Sequence, residues 1–131
     1  MYEYRILEKP KVVDGDTLDV VFDLGFSVHT KQRVRLDGVD TPETRTTDLN
    51  EKRYGTEAKV FLEEWIRTNT GLWARTTKDD KYGRMLVSLF CDASSVSVND
   101  LMVFGGYAWR YSGNAKSKDF AALDRARNNT K

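Results

Sequence analysis

Between Tyr4 and Leu36, polar residues alternate with apolar or β-branched ones in three runs: Tyr4 to Val13, Thr17 to Asp23 and Ser27 to Leu36. The breaks between them are Asp14-Gly15 and Leu24-Gly25. Period-two patterning bounded by turn pairs predicts a three-stranded meander. The period then changes. From residue 54 to residue 69, Ala58, Phe61, Leu62, Trp65 and Ile66 recur at helical spacing, which predicts a helix with Thr56 as its N-cap and Gly71 as its stop. Two further strands follow, Leu72 to Thr77 and Met85 to Cys91, the second closed by the turn-like Asp92-Ala93-Ser94-Ser95. A short helix from Asn99 to Phe104 turns Leu101 and Met102 inward and stops at Gly105-Gly106. The tail from Ser117 reads as a last helix, with Ser117 as its cap and Phe120 and Leu123 on one face, fraying through the polar stretch Arg125 to Lys131.

Three strands, a helix, two strands and a helix make an α+β fold that is mainly β. The order fits a five-stranded Greek-key barrel of the oligonucleotide-binding type (OB-fold) with two to three helices, whose barrel face commonly binds nucleic acid. At 131 residues, with no repeat, low-complexity tract or linker, residues 1–131 are expected to form a single domain.

Charge narrows the chemistry by what it leaves out. Lys plus Arg number 21 against 20 Asp plus Glu, so any anion-binding surface must come from local placement. Cys91 is the single cysteine and His29 the single histidine, which excludes an internal disulfide, a cysteine zinc cage and any site needing two histidines. The N-terminal residues carry charges where a secretory signal would be apolar, and no run is long enough to span a membrane. The default expectation is a cytoplasmic monomer, or a secreted protein if a leader has been removed.

Two acidic clusters stand out, Asp14-Gly15-Asp16-Thr17 and Val39-Asp40-Thr41-Pro42-Glu43, each at the end of a strand-like run. Adjacent strands could bring Asp16 and Asp40 together, with Glu43 nearby. An all-oxygen site without histidine or cysteine suits Ca²⁺ or Mg²⁺. Pro42 holds Thr41 extended, which could aim the Thr41 carbonyl at the same ion. Arg35 and Arg84 supply planar forks that match phosphate oxygens. A divalent cation, two arginines and a spare carboxylate are the parts that phosphodiester hydrolysis needs.

These residues fall in motifs that resemble the staphylococcal nuclease (thermonuclease) family. The motifs are Asp-Gly-Asp-Thr at 14–17, Arg-Leu-x-x-Val-Asp-Thr-Pro-Glu-Thr at 35–44, Tyr-Gly-x-Glu-Ala at 54–58 and Asp-Lys-Tyr-Gly-Arg at 80–84. The resemblance implies a Ca²⁺-dependent endonuclease, Mg²⁺ being the less favoured ion, that cuts DNA or RNA with little sequence selectivity and leaves 3′-phosphates. It implies that Asp16 and Asp40 bind the ion by carboxylate and Thr41 by its carbonyl. Arg35 would hold the scissile phosphate, and Arg84 would stabilise the pentacoordinate phosphorus. Glu43 would act on the attacking water, as general base or as its orienting partner. Tyr82 would contact the bound nucleotide, with Tyr111 as the second such tyrosine.

Plainer readings compete for some of these positions. Asp14 and Gly15, like Asp37 and Gly38, are common turn residues, so Asp14 is placed behind the ligands rather than among them. Arg33 lies two residues from Arg35 on the same strand face, and the motif selects Arg35, leaving Arg33 as a surface or secondary substrate contact. Trp65, Trp73 and Trp109 are expected in the core, His29 as a bystander and Cys91 as a small buried apolar residue. The alternative to an enzyme is a catalytically silent OB-fold module that binds nucleic acid or protein. Such a module typically loses its acids and arginines, whereas Asp16, Arg35, Asp40, Glu43 and Arg84 are all present.

Overall fold

The computed structural model of the chain describes residues 2–79, 83–111 and 118–129. The first apolar run divides into β1 (Tyr2–Ile6) and β2 (Lys11–Asp14), and is followed by β3 (Thr17–Asp23), β4 (His29–Leu36) and the two-residue β5 (Val39–Asp40). Helix α1 (Leu49–Thr68) leads to β6 (Trp73–Asp79) and β7 (Met85–Phe90), and the chain ends with α2 (Val98–Phe104), β8 (Trp109–Arg110) and α3 (Phe120–Asn129). The main sheet runs β1-β6-β7-β4-β3-β2, and β1 also pairs with β3. That extra pairing, Arg5 with Asp23 and Ile6 with Phe22, closes a ring of β1, β6, β7, β4 and β3, with β2 paired to β3 beside it. Among the described strands only β4 and β7 run parallel, with Val34 opposite Met85 and Arg35 opposite Leu86. The result is the mainly β OB-fold barrel with three helices.

Inward residues fill the barrel by strict alternation: Leu18, Val20 and Phe22 from β3, Val34 and Leu36 from β4, Val87 and Leu89 from β7. Ala58, Leu62, Trp65 and Ile66 of α1 and Val98 and Met102 of α2 complete the core. Cys91 is buried as expected. No helix among the described residues is long and apolar enough to cross a membrane.

The structure departs from the sequence expectations at several ends. The first run breaks at Leu7–Pro10, where Pro10 has no N–H to give to a ladder. Helix α1 begins at Leu49, five residues before the expected range of 54 to 69, and its N-cap is Asp48, not Thr56. Asp48 Oδ1 accepts the Asn50 and Glu51 amides at 3.0 and 3.2 Å. The expected cap Ser117 lies outside the described residues. The tail does not fray at Arg125: α3 runs to Asn129, anchored by Arg127 Nε on the Gly106 carbonyl at 2.9 Å and Arg127 Nη1 on Glu57 at 3.1 Å. Of the tryptophans only Trp65 is in the core. Trp73 stacks on Phe90 at 4.4 Å between ring centres, and Trp109 meets the edge of Phe120 at 5.5 Å, both half-buried.

The β5–β8 ribbon had no signal in the sequence. Val39 pairs with Arg110 and Asp40 with Trp109, and the Tyr111 amide donates to the Gly38 carbonyl at 2.9 Å. It ties the second acidic cluster to a segment about seventy residues further along the chain.

Candidate active site

Gly15 and Asp16 are the two turn residues between β2 and β3, with Asp14 opposite Thr17. The Gly15 amide donates to Asp14 Oδ1 at 2.9 Å, and the Leu36 amide donates to the Asp16 carbonyl at 2.9 Å, so the turn is fastened to β4. After β5 the chain passes directly over this turn. The Thr41 amide faces Asp16 Oδ2 at 3.4 Å, and Thr44 Oγ1 donates to Asp14 Oδ1 at 3.0 Å. A Cβ on Gly15 would stand 2.8 Å from Thr41 Oγ1, so glycine is required by close approach. Gly55 of α1 does the same on the other side, where a Cβ would come within 2.6 Å of both the Pro42 and Glu43 carbonyls. The acidic loop is therefore clamped between a hairpin turn and a helix.

Arg35 sits at the centre. Its Nη2 lies 3.3 Å from Asp16 Oδ2 and 3.3 Å from Asp40 Oδ1, and its guanidinium lies 5.2 Å from the centre of the Tyr111 ring. All three charged side chains are nearly buried, at 11 to 15% exposure. Burial pushes the Asp16 carboxyl above its ordinary range; Arg35 opposes that rise, and the neighbouring Asp40 and Asp14 carboxylates add to it. Two carboxylates thus converge on one guanidinium nitrogen.

The structure thus brings together Asp14, Asp16, Arg35, Asp40, Thr41 and Tyr111. Asp14 Oδ1 accepts from the Gly15 amide and from the Thr44 hydroxyl. Glu43 lies on the exposed side of the loop. No group of three or more Asp, Glu, His and Cys that could hold a metal occurs among the described residues, so the acidic clusters contribute two converging carboxylates rather than three. Arg84, half-buried, directly precedes β7, two residues ahead of Leu86, the register partner of Arg35. Tyr82 falls outside the described residues.

Two residues were not foreseen. The Glu43 amide donates to Glu51 Oε2 at 3.1 Å, and Lys118 Nζ donates to Glu51 Oε1 and Oε2 at 3.1 and 2.8 Å. Glu51 is buried at the start of α1. The spacing Asp48-x-x-Glu51 is a helix-start signal that could have located it, although Glu51 reaches the loop instead of its own cap. Nothing in the sequence points to Lys118.

A closed OB barrel with two acids converging on an arginine of β4 defines a class, and residues 33–131 match the family described as Staphylococcal nuclease homologue. The chain belongs to this family. It is similar to an uncharacterised protein of Bacillus anthracis, 36% identical over 98 residues, covering 73% of this chain and 42% of that protein. It is also similar to Endonuclease YncB of Bacillus subtilis (strain 168), 31% identical over 119 residues, 87% of this chain and 53% of the relative. The Probable staphylococcal-like nuclease CAN1 of Oryza sativa subsp. japonica is 34% identical over 82 residues, 63% of this chain and 22% of its own length. The chain spans roughly half or less of the length of these curated relatives.

Proposed function

We propose that this protein is a Ca²⁺-dependent nuclease that hydrolyses phosphodiester bonds of DNA or RNA with little sequence selectivity and leaves 3′-phosphates. The observation that carries the reading is Arg35 Nη2 held 3.3 Å from both Asp16 and Asp40. A guanidinium fork suited to phosphate then lies beside two hard oxygen donors, which supports the reading. Family membership and the nuclease names of the Bacillus subtilis and Oryza sativa relatives agree with it.

The donor set fits a hard divalent cation: one buried and one half-buried carboxylate, the first destabilised by burial and by its acidic neighbours, beside a backbone carbonyl at Thr41. Asp16, Asp40 and the Thr41 carbonyl would hold it. Ca²⁺ when bound supplies charge neutralisation at the phosphate and a lower barrier to attack by water.

The chain's own residues account for the rest. Arg35 grips a non-bridging oxygen of the scissile phosphate, bidentate where lysine would give one contact. Glu43, on the exposed side of the loop, takes the proton of the attacking water or orients it. As the new P–O bond forms, the bond from phosphorus to the 5′ oxygen breaks, and the phosphate stays on the 3′ oxygen. Arg84 stabilises the charge on the five-coordinate phosphorus and favours departure of the 5′ oxygen. Tyr111, under the Arg35 guanidinium, borders the nucleotide, with Tyr82 as its companion.

Digestion of labelled single- and double-stranded DNA and RNA with Ca²⁺, Mg²⁺ or chelator, followed by end-group analysis, tests the reading. Cleavage with Ca²⁺ that stops in chelator and yields 3′-phosphate ends is expected. Glu43→Gln and Arg35→Ala should each lower turnover by about two to four orders of magnitude while the domain stays folded. Activity that persists in chelator sinks the metal assignment. Binding of oligonucleotide without any cleavage in Ca²⁺ returns the protein to the silent binding module.

A further inference from the structure

Beyond Arg35, the outer face of the β3–β4 hairpin carries a row of side chains that the chemistry above does not use. Along β4, Thr30, Gln32, Val34 and Leu36 turn toward the barrel, while His29, Lys31, Arg33 and Arg35 turn outward. The row begins in the candidate site at Arg35 and runs six residues toward the hairpin tip, roughly 20 Å at strand rise. Across the sheet Asp19 faces Arg33, Val21 faces Lys31, and Lys11 of β2 faces Asp19 from the other side.

The face keeps a cationic surplus despite its acids. Asp19 takes the Nε and Nη2 edge of Arg33 at 2.8 and 3.2 Å, yet the Arg33 side chain remains 58% exposed. Asp23 spends Oδ1 on the Gly25 amide at 2.9 Å. Against these two acids stand Lys11, Lys31 and Arg33, while Arg35 is spent on Asp16 and Asp40.

At the end of the row, Leu24 and Val28 fasten the tip by two backbone hydrogen bonds of 2.9 Å, Leu24 N to Val28 O and Val28 N to Gly25 O. Between them Phe26 and Ser27 both take left-handed backbone, φ 55° and 62°. Phenylalanine is a rare occupant of that region, and here its ring is fully exposed instead of reaching the core. A bulky residue held in strained backbone with nothing packed on it points to a binding role for the ring.

We propose that Arg33, Lys31 and Phe26 form a track that guides a single-stranded nucleic acid away from the cleavage site, the cations meeting phosphates and the Phe26 ring stacking on a base. The occupant follows from charge complementarity and from continuity of the row with Arg35, so the proposal rests on the nuclease reading for its direction. A track of this length suits a few nucleotides, within the site sizes of about 4–16 that single OB-folds cover.

The test compares wild type with Lys31→Ala/Arg33→Ala and with Phe26→Gly, which keeps the left-handed backbone and removes the ring. Cleavage is measured on a dinucleotide and on an oligothymidylate of about 12 nucleotides. Binding of the labelled oligonucleotide is followed by anisotropy in chelator over a range of salt. The ratio of kcat/KM for the long over the short substrate is expected to fall about tenfold in each variant. Loss of two phosphate contacts should also flatten the log–log salt dependence of binding by about 1.4, at ~0.7 per contact for single strands. An unchanged ratio and unchanged binding overturn the track. If wild type cuts neither substrate, the proposed activity fails, while the anisotropy series still decides the track. Wild-type binding to phosphatidylserine vesicles that Phe26→Gly abolishes, with oligonucleotide affinity unmoved, would overturn it in favour of an anionic membrane.

Discussion

Glu51 Oε2 accepts the amide of Glu43 at 3.1 Å, and the same carboxylate is held by Lys118 at 2.8 Å. The proposed water-handling residue is therefore positioned through its backbone by a buried acid on α1, and that acid is steadied by a lysine just before α3. Misplacement of a reacting group by about 1 Å can cost about a hundredfold in rate. Lys118→Ala is expected to lower kcat on nucleic acid by about three- to tenfold with KM nearly unchanged. Because the lysine is 45% exposed, its ion pair should contribute under about 1 kcal/mol to stability. Glu51→Ala leaves the Glu43 amide without its acceptor and should cost about 1–3 kcal/mol as well as activity. Steady-state kinetics with urea unfolding checks both, and Lys118→Ala with wild-type kcat would detach α3 from the site.

The same pair sets a pH dependence. Burial pushes the Glu51 carboxyl up, but the Lys118 and Glu43 hydrogen bonds outweigh it and hold the carboxyl below its ordinary 4.5. A depressed carboxyl contributes stability that is present above its unfolded value and lost as pH falls through its folded one. Wild type should therefore lose thermal stability on acidification below about pH 4.5 more steeply than Glu51→Gln, which has no charge to lose. Melting curves from about pH 6 to about pH 3 measure the difference, and parallel curves would remove Glu51 from the acid limb.

Gly15 and Thr41 make a second coupled pair, because a Cβ on Gly15 would stand 2.8 Å from Thr41 Oγ1 and 3.0 Å from its Cβ. Gly15→Ala is expected to destabilise by about 1–3 kcal/mol through overpacking at a buried turn. Thr41→Ala removes the obstructing hydroxyl and methyl while keeping the backbone carbonyl, so the double variant should recover much of that loss. A double-mutant cycle by urea unfolding reads the coupling, expected at about 0.5–3 kcal/mol, and additive effects would mean the turn relaxes without touching Thr41.

Much of this architecture was legible in the sequence, and the parts that were not have physical reasons. Alternation between Thr17 and Asp23 and around Val34 and Leu36 marked the barrel strands because one face of each is buried. The start of α1 was misplaced because its first turn serves the loop, not the core: Leu49 is 79% exposed, while Glu51 and Asp48 carry the capping and loop contacts. Local reading placed Asp16, Arg35 and Asp40 near strand ends, and the family motif gave them roles. Their convergence depends on the β5–β8 pairing of Asp40 with Trp109, a contact between distant segments that leaves no periodic signature. Lys118 was hidden for the same reason, since its partner lies 67 residues earlier.

Ion binding can be separated from catalysis by stability alone. Asp16 and Asp40 converge on the Arg35 guanidinium, each at 3.3 Å, so two hard oxygen donors meet at one point. A ligand that binds only the folded state stabilises it by RT ln(1 + [L]/Kd), so saturating Ca²⁺ at about a hundred times Kd should add about 2.7 kcal/mol. Wild type is therefore expected to melt several degrees higher in Ca²⁺ than in chelator, whether or not it turns over substrate. Asp40→Asn should lose that shift, because it removes a charged donor while keeping the size of the side chain. Glu43→Gln should keep it, because Glu43 is assigned to water. Thermal melts of the three proteins across a Ca²⁺ titration measure this, with Mg²⁺ as the comparison ion. A shift that survives Asp40→Asn, or that Glu43→Gln abolishes, would move the ion off the Asp16–Asp40 pair and onto the outer carboxylate.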